Sequence, residues 1–167
     1  MNNDPHRSQH DSPADHNRNL VRRTMDALNR KDLIGASAAM AEDLVNHCAI
    51  PEAQGRAGLL AIWEKLLTAF PDLSWTCEDL IADGDRIAFR TRERGTNTGP
   101  LRFARLPLPP TGKPFDIEAI FVFRIAGGRI AEVWMQRDDL AMLRQLGQLM
   151  PPGGAAGPQM SAGLSPG

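Results

Sequence analysis

The hydrophobic positions along the chain change their period near Pro71. Before it they recur at helical spacing. In NLVRRTMDALNRKD, Val21, Met25 and Leu28 stand at i, i+4 and i+7. Asp32 has the chemistry of an N-cap, and the apolar stretch behind it predicts a short second helix over 32–41. LVNHCAI, residues 44–50, reads as a short strand ended by Pro51. RAGLLAIWEKLLTAF is the clearest helix. Leu59, Leu60, Trp63, Leu67 and Phe70 form one stripe, with Leu66 beside it, and Pro71 stops it.

After Pro71 the pattern is that of strands. Residues 73–82 form one, the Asp83-Gly84-Asp85 turn follows, and 86–94 return as the hairpin partner. The stretch 95–113 is punctuated by Gly and Pro and reads as a loop. Residues 115–125 form a third long strand, Gly127-Gly128 a turn, and 129–137 the returning strand. From Asp138 onward the spacing of Met142, Leu143 and Leu146 predicts a short C-terminal helix. Helices first and a run of strands afterwards predict an α+β fold, with helices on one face of a curved antiparallel sheet.

Composition sets the limits. The chain has 167 residues, 42% hydrophobic and 23% charged, which suits one ordinary domain. Residues 1–17 are polar, and 150–167 are rich in Pro, Gly and Ala. Neither has enough apolar surface to offset the entropy of ordering, so both are expected to be disordered tails around a domain at 18–149. A net charge of -1 argues against a dedicated nucleic-acid binder. No apolar run approaches the roughly 20 residues of a membrane span, and the first residues carry no apolar signal region. A cytoplasmic protein is expected.

Cys48 and Cys77 fit no metal or redox spacing, and in a reducing compartment they read as small buried hydrophobes. His6, His10 and His16 lie in the N-terminal stretch without a ligand framework and read as part of a solvated tail. There is no P-loop, GxGxxG, HExxH or GxSxG pattern, so no nucleotide, metal, other cofactor or covalent nucleophile is expected.

Several stretches, taken in order, give the chain a resemblance. FPDL follows the tryptophan-bearing helix. RGTNTGPL leads into PPTGK. FRIAGGRIAEVW ends the strand pair, and D-x-x-x-M-L-x-Q-L-G runs from Asp138 to Gly147. Together, over about 18–148, they resemble the SnoaL-like polyketide cyclase family. That resemblance implies the nuclear transport factor-like cone, a curved sheet and helices enclosing one deep pocket.

It also implies a catalytic aspartate at Asp138. An intramolecular aldol closure removes a proton from an acidic carbon and delivers one to a carbonyl oxygen, and one carboxyl group can do both in turn. The plainer reading of Asp138 is an N-cap for the helix that begins there, while Asp139 reads as a surface residue. By strand alternation Glu132, Trp134 and Gln136 share the face of Asp138, and Val133, Met135 and Arg137 point the other way. Trp134 and Gln136 are therefore expected to line the pocket. Ile117, Ala119, Phe121 and Phe123 share one apolar face, and Phe121, Phe123 and Trp63 count as pocket wall or core, which are the same surface in such a fold. Asn46 and His47 form a polar pair on the first strand, of a kind the family carries near its pocket. His47 reads as a hydrogen-bonded wall residue or as the proton-sharing partner of Asp138. Many family members have a histidine where this chain has Asn97, which can bind a carbonyl but cannot transfer a proton at neutral pH.

The expected function is a cofactor-free acid–base enzyme of the ester or polyketide cyclase type. It would act on a small hydrophobic carbonyl compound by aldol cyclisation, isomerisation or hydrolysis, with Asp138 and His47 as the acid–base pair. The alternative is a non-catalytic module of the same fold that binds a small molecule or a partner; a solvent-exposed, helix-capping Asp138 would favour it. An epoxide hydrolase-like relative would need an Asp-Arg-Asp type cluster to activate water, and none can be assembled from the sequence. Ile120, Val122, Val133 and Met135, expected on the outer sheet face, together with the family's habit of pairing through its sheet, predict a homodimer.

Overall fold

The structure is a computed structural model that describes residues 12–48, 54–103 and 106–149. Helix α1 (Pro13–Asn29) begins inside the stretch expected to be a tail. The cause is a capping box. The Ser12 hydroxyl accepts from the Asp15 backbone N–H at 3.1 Å, and the Asp15 carboxylate accepts from the Ser12 N–H at 3.2 Å. His16 thus lies on a helix, and His6 and His10 fall outside the described residues. Val21, Met25, Ala27 and Leu28 are buried on the face of α1 that packs against the sheet. Asp32 caps α2 (Leu33–Ala38) by accepting from Gly35 N–H at 2.8 Å.

The predicted second helix ends early. The chain enters β1 (Met40–Asn46) where 32–41 was expected to stay helical. Helix α3 (Gly55–Ala69) follows. Leu59 and Phe70 are buried, and Trp63, Leu66 and Leu67 pack half-buried against the same core. Then come β2 (Ser74–Asp83), β3 (Arg86–Thr96), β4 (Leu101–Phe103), β5 (Leu106–Leu108), β6 (Pro114–Ala126), β7 (Arg129–Arg137) and α4 (Asp139–Gln145). The expected loop 95–113 carries the β4–β5 hairpin. Its base lies close on the end of α3, where Thr98 and Gly99 donate to the Ala69 carbonyl, both at 3.1 Å. A Cβ on Gly99 would stand 2.0 Å from the Thr68 carbonyl oxygen, so only glycine allows this approach.

The fold is the expected α+β arrangement, with the N-terminal helices on a curved, unclosed sheet of order β1-β7-β6-β3-β2. The sheet is mixed and not wholly antiparallel. β1 enters beside β7 and runs parallel to it, because the chain returns to this edge only after α3 and the whole meander. One apolar cluster occupies most of the concave side. It includes Phe70, Leu73, Ile87, Phe89, Phe115, Phe123 and Ile130.

A bulge decides which side chains enter that concavity. Ile125 pairs with Ile130, but Arg124 pairs with Glu132, so Ala131 is an extra residue in β7. Ile130 and Val133 are consequently both buried. Beyond the bulge Val133, Met135 and Arg137 face inward, while Glu132, Trp134 and Gln136 face outward. Both expectations for this strand are therefore reversed. Trp134 and Gln136 do not line the interior, and Val133 and Met135 do not join Ile120 and Val122 outside.

Candidate active site

Strand β3 alternates cleanly. Ile87, Phe89, Thr91, Glu93 and Gly95 are buried, and Arg86, Ala88, Arg90, Arg92 and Arg94 face outward. The outward arginines are tied into ion pairs. Arg90 binds Glu78, Asp79 and Glu118, and Arg92 and Arg94 share Asp116 at 2.6 and 3.0 Å. Two inward positions break the apolar rule, Thr91 and Glu93.

Glu93 is 2% exposed. Its carboxylate lies 3.6 Å from the Arg137 guanidinium, which reaches in from β7. Arg137 is in turn held by Asp139, whose carboxylate accepts from Nε at 2.6 Å. Burial pushes the Glu93 carboxyl above the ordinary carboxylate range. Arg137 opposes that shift, and the negative charge of Asp139 adds to it. Thr91, on the same face, has a fully buried hydroxyl without a hydrogen-bond partner. The neighbouring row is aromatic, with Phe89 stacked on Phe121 at 5.1 Å and set edge-on to Phe123 at 4.8 Å. Phe121 and Met135 are partly exposed at this inner surface. The arrangement is a desolvated carboxyl, a guanidinium and a second carboxylate beside an apolar wall. It can take up, hold and return a proton, and it differs from the Asp-Arg-Asp type of cluster sought in the sequence by having a glutamate as its first acid.

The residues singled out from sequence fall elsewhere. Asp138 is exposed, and its carboxylate caps α4 by accepting from Ala141 N–H at 2.9 Å. His47 sits in the turn after β1, outside the sheet. Its ring stacks on Trp134 at 4.2 Å, and Nε2 lies 2.7 Å from the Glu132 carboxylate. Glu132 also takes a 2.6 Å bond from Arg124, and these two partners hold its carboxyl below the usual range. Asp138 lies four residues beyond Trp134, about 13 Å along an extended chain. The expected Asp138–His47 pair is not formed.

Asn46 and Asn97 are both buried and tied into internal hydrogen bonds. The Asn46 backbone exchanges two hydrogen bonds with the Gln54 amide, at 2.9 and 2.7 Å, and its side-chain oxygen accepts from Cys48 N–H. Asn97 is 1% exposed. Its amide donates to the Ala69 and Gly99 carbonyls, and its oxygen accepts from the Thr111 N–H and hydroxyl. Its capacity is spent on tying the 99–112 loop to α3. Phe123 is core, Phe121 lies at the inner surface, Trp63 is half-buried on α3, and Gln136 is exposed outside. Cys48 is exposed and Cys77 partly so, contrary to the expectation that both are buried.

The described residues also form two open clefts. One, about 380 Å³, is lined by Asp72, Ser74, Arg94, Thr96, Phe115 and Gln145. Its acids are already engaged, Asp72 by the Thr96 N–H and hydroxyl, each at 2.7 Å. The other lies along α1 and α2. No helix among the described residues is long and apolar enough to cross a membrane.

Glu93, Arg137 and Asp139 were missed because each looks ordinary in isolation. The one available signal was Thr91 and Glu93 on the apolar face of an alternating strand.

Helices over a curved sheet are also the fold of the proteins that this chain resembles. The family model described as SnoaL-like polyketide cyclase matches residues 18–146, and the chain belongs to that family. No curated protein sequence matches it. Among solved structures, TsrD from Streptomyces laurentii superposes with a TM-score of 0.72 at 26% identity, covering 80% of this chain and 96% of that one. AclR from Streptomyces galilaeus, described as a candidate hydroxylase, gives 0.70 at 27%, covering 83% and 100%. IdmH from Streptomyces antibioticus, described as a candidate polyketide cyclase, gives 0.66 at 32%, covering 78% and 97%.

Proposed function

We propose that the chain is an acid–base enzyme of the cyclase type, acting on a small hydrophobic carbonyl compound, with Glu93 in the role first expected of Asp138. The supporting observation is the buried Glu93 carboxyl, raised by desolvation and set 3.6 Å from Arg137. A carboxylate taken out of water is a stronger base toward a carbon acid, and its protonated form can return the proton to a carbonyl oxygen. Arg137 offsets the charge that develops on that oxygen. The same proton handling serves aldol cyclisation, isomerisation or hydrolysis. The test is deuterium uptake at the α-carbon of a hydrophobic aryl ketone in D2O, followed by NMR. The wild-type chain should accelerate uptake, and Glu93→Gln should lower the rate by about 10²-fold or more. A wild-type chain that accelerates nothing would leave the non-catalytic binding module, which the exposure of Asp138 also favours.

The Glu93–Arg137–Asp139 cluster supports a second reading, hydrolysis of an epoxide. Asp139 would take a proton from water, the hydroxide would attack an epoxide carbon, and Glu93 would protonate the departing oxygen. Diol formation from styrene oxide distinguishes it from the first.

The chain is further read as a homodimer that pairs through the outer sheet face. There Ile81, Ala88, Val122 and Trp134 form one cross-strand row, and Ile120 is 54% exposed beside it.

A further inference from the structure

Three inner-face features converge on one small residue. Thr91 pairs with Ala119 across β3 and β6, and Ala119 pairs with Arg137 across β6 and β7. The three form one cross-strand row. Thr91 and Arg137 are thus two strand spacings apart, about 10 Å, with only a methyl group between them. Glu93 stands two residues along β3 from Thr91 and beside Arg137. Thr91 is 0% exposed, and its hydroxyl is the one buried side-chain polar atom among the described residues that lacks a hydrogen-bond partner. Leaving such a group unpaired is costly, and a position that bears that cost is a candidate for a ligand contact.

We propose that the inner face above Ala119, between the Thr91 hydroxyl and the Arg137 guanidinium, is a subsite for the oxyanion of a flat hydrophobic ligand, an enolate or phenolate oxygen. The inference deepens the acid–base reading, because it rests on the cone interior being the site and names the oxygen that the chemistry charges. Thr91 supplies a donor with no competing partner. Arg137 spends Nε on Asp139 and turns Nη1 toward Glu93, which leaves further N–H groups of a five-donor fork. The ligand's ring would lie against the next row, where Phe89 and Phe121 are already stacked and Met135 is directly paired with Phe121. Phe121, Met135 and Cys77 are the partly exposed residues near Thr91 on this face, so a ligand would enter past them, with the unbranched Met135 re-packing at small cost.

The probes are 2-naphthol, which carries the oxygen, and naphthalene, which does not. Each is titrated by fluorescence into the wild-type chain, Thr91→Val and Thr91→Ser, after thermal melts of all three. Thr91→Val should melt at the same temperature or higher, since it removes an unpaired hydroxyl. It should bind naphthalene like the wild type but 2-naphthol about tenfold more weakly. Thr91→Ser keeps the donor and should bind 2-naphthol as the wild type does. Equal 2-naphthol binding by the wild type and Thr91→Val overturns the subsite, and so does a wild type that binds no 2-naphthol. Marked destabilisation of Thr91→Val also overturns it, because the hydroxyl would then have an internal partner. If these binding results hold while the wild type fails to exchange α-deuterium, the subsite stands and the enzymatic reading falls.

Discussion

The Arg137 guanidinium stands 3.6 Å from the Glu93 carboxylate, although the two lie on β7 and β3 with β6 between them. Asp139, just beyond the end of β7, fixes the arginine from the other side at 2.6 Å. A buried carboxylate with one guanidinium at this distance is incompletely compensated. It remains a group whose protonation the fold has raised, and several measurable consequences arise from that.

Glu93 should make the protein less stable as pH rises. Its carboxyl, near 4.5 when unfolded, is raised in the folded chain. Folding therefore favours the protonated form. The stabilisation is full below about 4.5 and is lost as pH climbs through the raised value. Glu93→Gln should remove that dependence, so its melting temperature should gain on the wild type between pH 5 and pH 8. Parallel melting curves at both pH values would mean that Glu93 ionises normally.

Asp138 and His47 should prove dispensable for chemistry. Asn is as good an N-cap as Asp, so Asp138→Asn should keep both stability and turnover, while Asp138→Ala should cost about 1 kcal/mol. His47→Ala loses the stack on Trp134, about 1 kcal/mol, with turnover within about twofold of wild type. A hundredfold loss of α-deuteration in Asp138→Asn at unchanged melting temperature would restore Asp138 as the base in place of Glu93.

Asn97 should matter for the loop and not for ligand. Asn97→Ala takes from the Gly99 carbonyl and the Thr111 N–H the partner that the Asn97 amide supplies, at a cost of about 2 kcal/mol. Gly99→Ala drives a methyl into the Thr68 carbonyl and should cost about 1–3 kcal/mol. Both should speed hydrogen exchange at Thr98 and Gly99, whose N–H groups bond Ala69. Slow exchange in both variants would show that the loop is anchored by other contacts.

A charge on the outer face should separate the paired chains. Ile120→Lys places an ammonium at an exposed apolar position beside Arg90. Light scattering at micromolar concentration should read a dimer for the wild type and a monomer for the variant, with unchanged melting of the isolated fold. A monomeric wild type ends the dimer reading.

The order of elements was legible in the chain because it depends on local rules. Helical spacing in NLVRRTMDALNRKD and in the Trp63 helix, and the turns at Gly84 and Gly127-Gly128, operate over a few residues. So does the strand period over 74–94 and 115–137, and those segments fold as read. Even the misplaced start of α1 has a local cause, the Ser12–Asp15 capping box. The direction of β1 depends on where β7 arrives, and no local pattern contains that. Likewise, alternation tells that Trp134, Gln136 and Glu132 share a face, but not which side of the sheet that face becomes. The extra residue Ala131 settles it, and only pairing with β6 reveals the bulge. The candidate site is non-local in the same sense. Glu93, Arg137 and Asp139 are brought together by sheet curvature and cross-strand register, and the desolvation that raises Glu93 arises only when the cone closes over it. A sequence carries the identity of a charged side chain, but its exposure to water, and hence its chemistry, belongs to the folded structure.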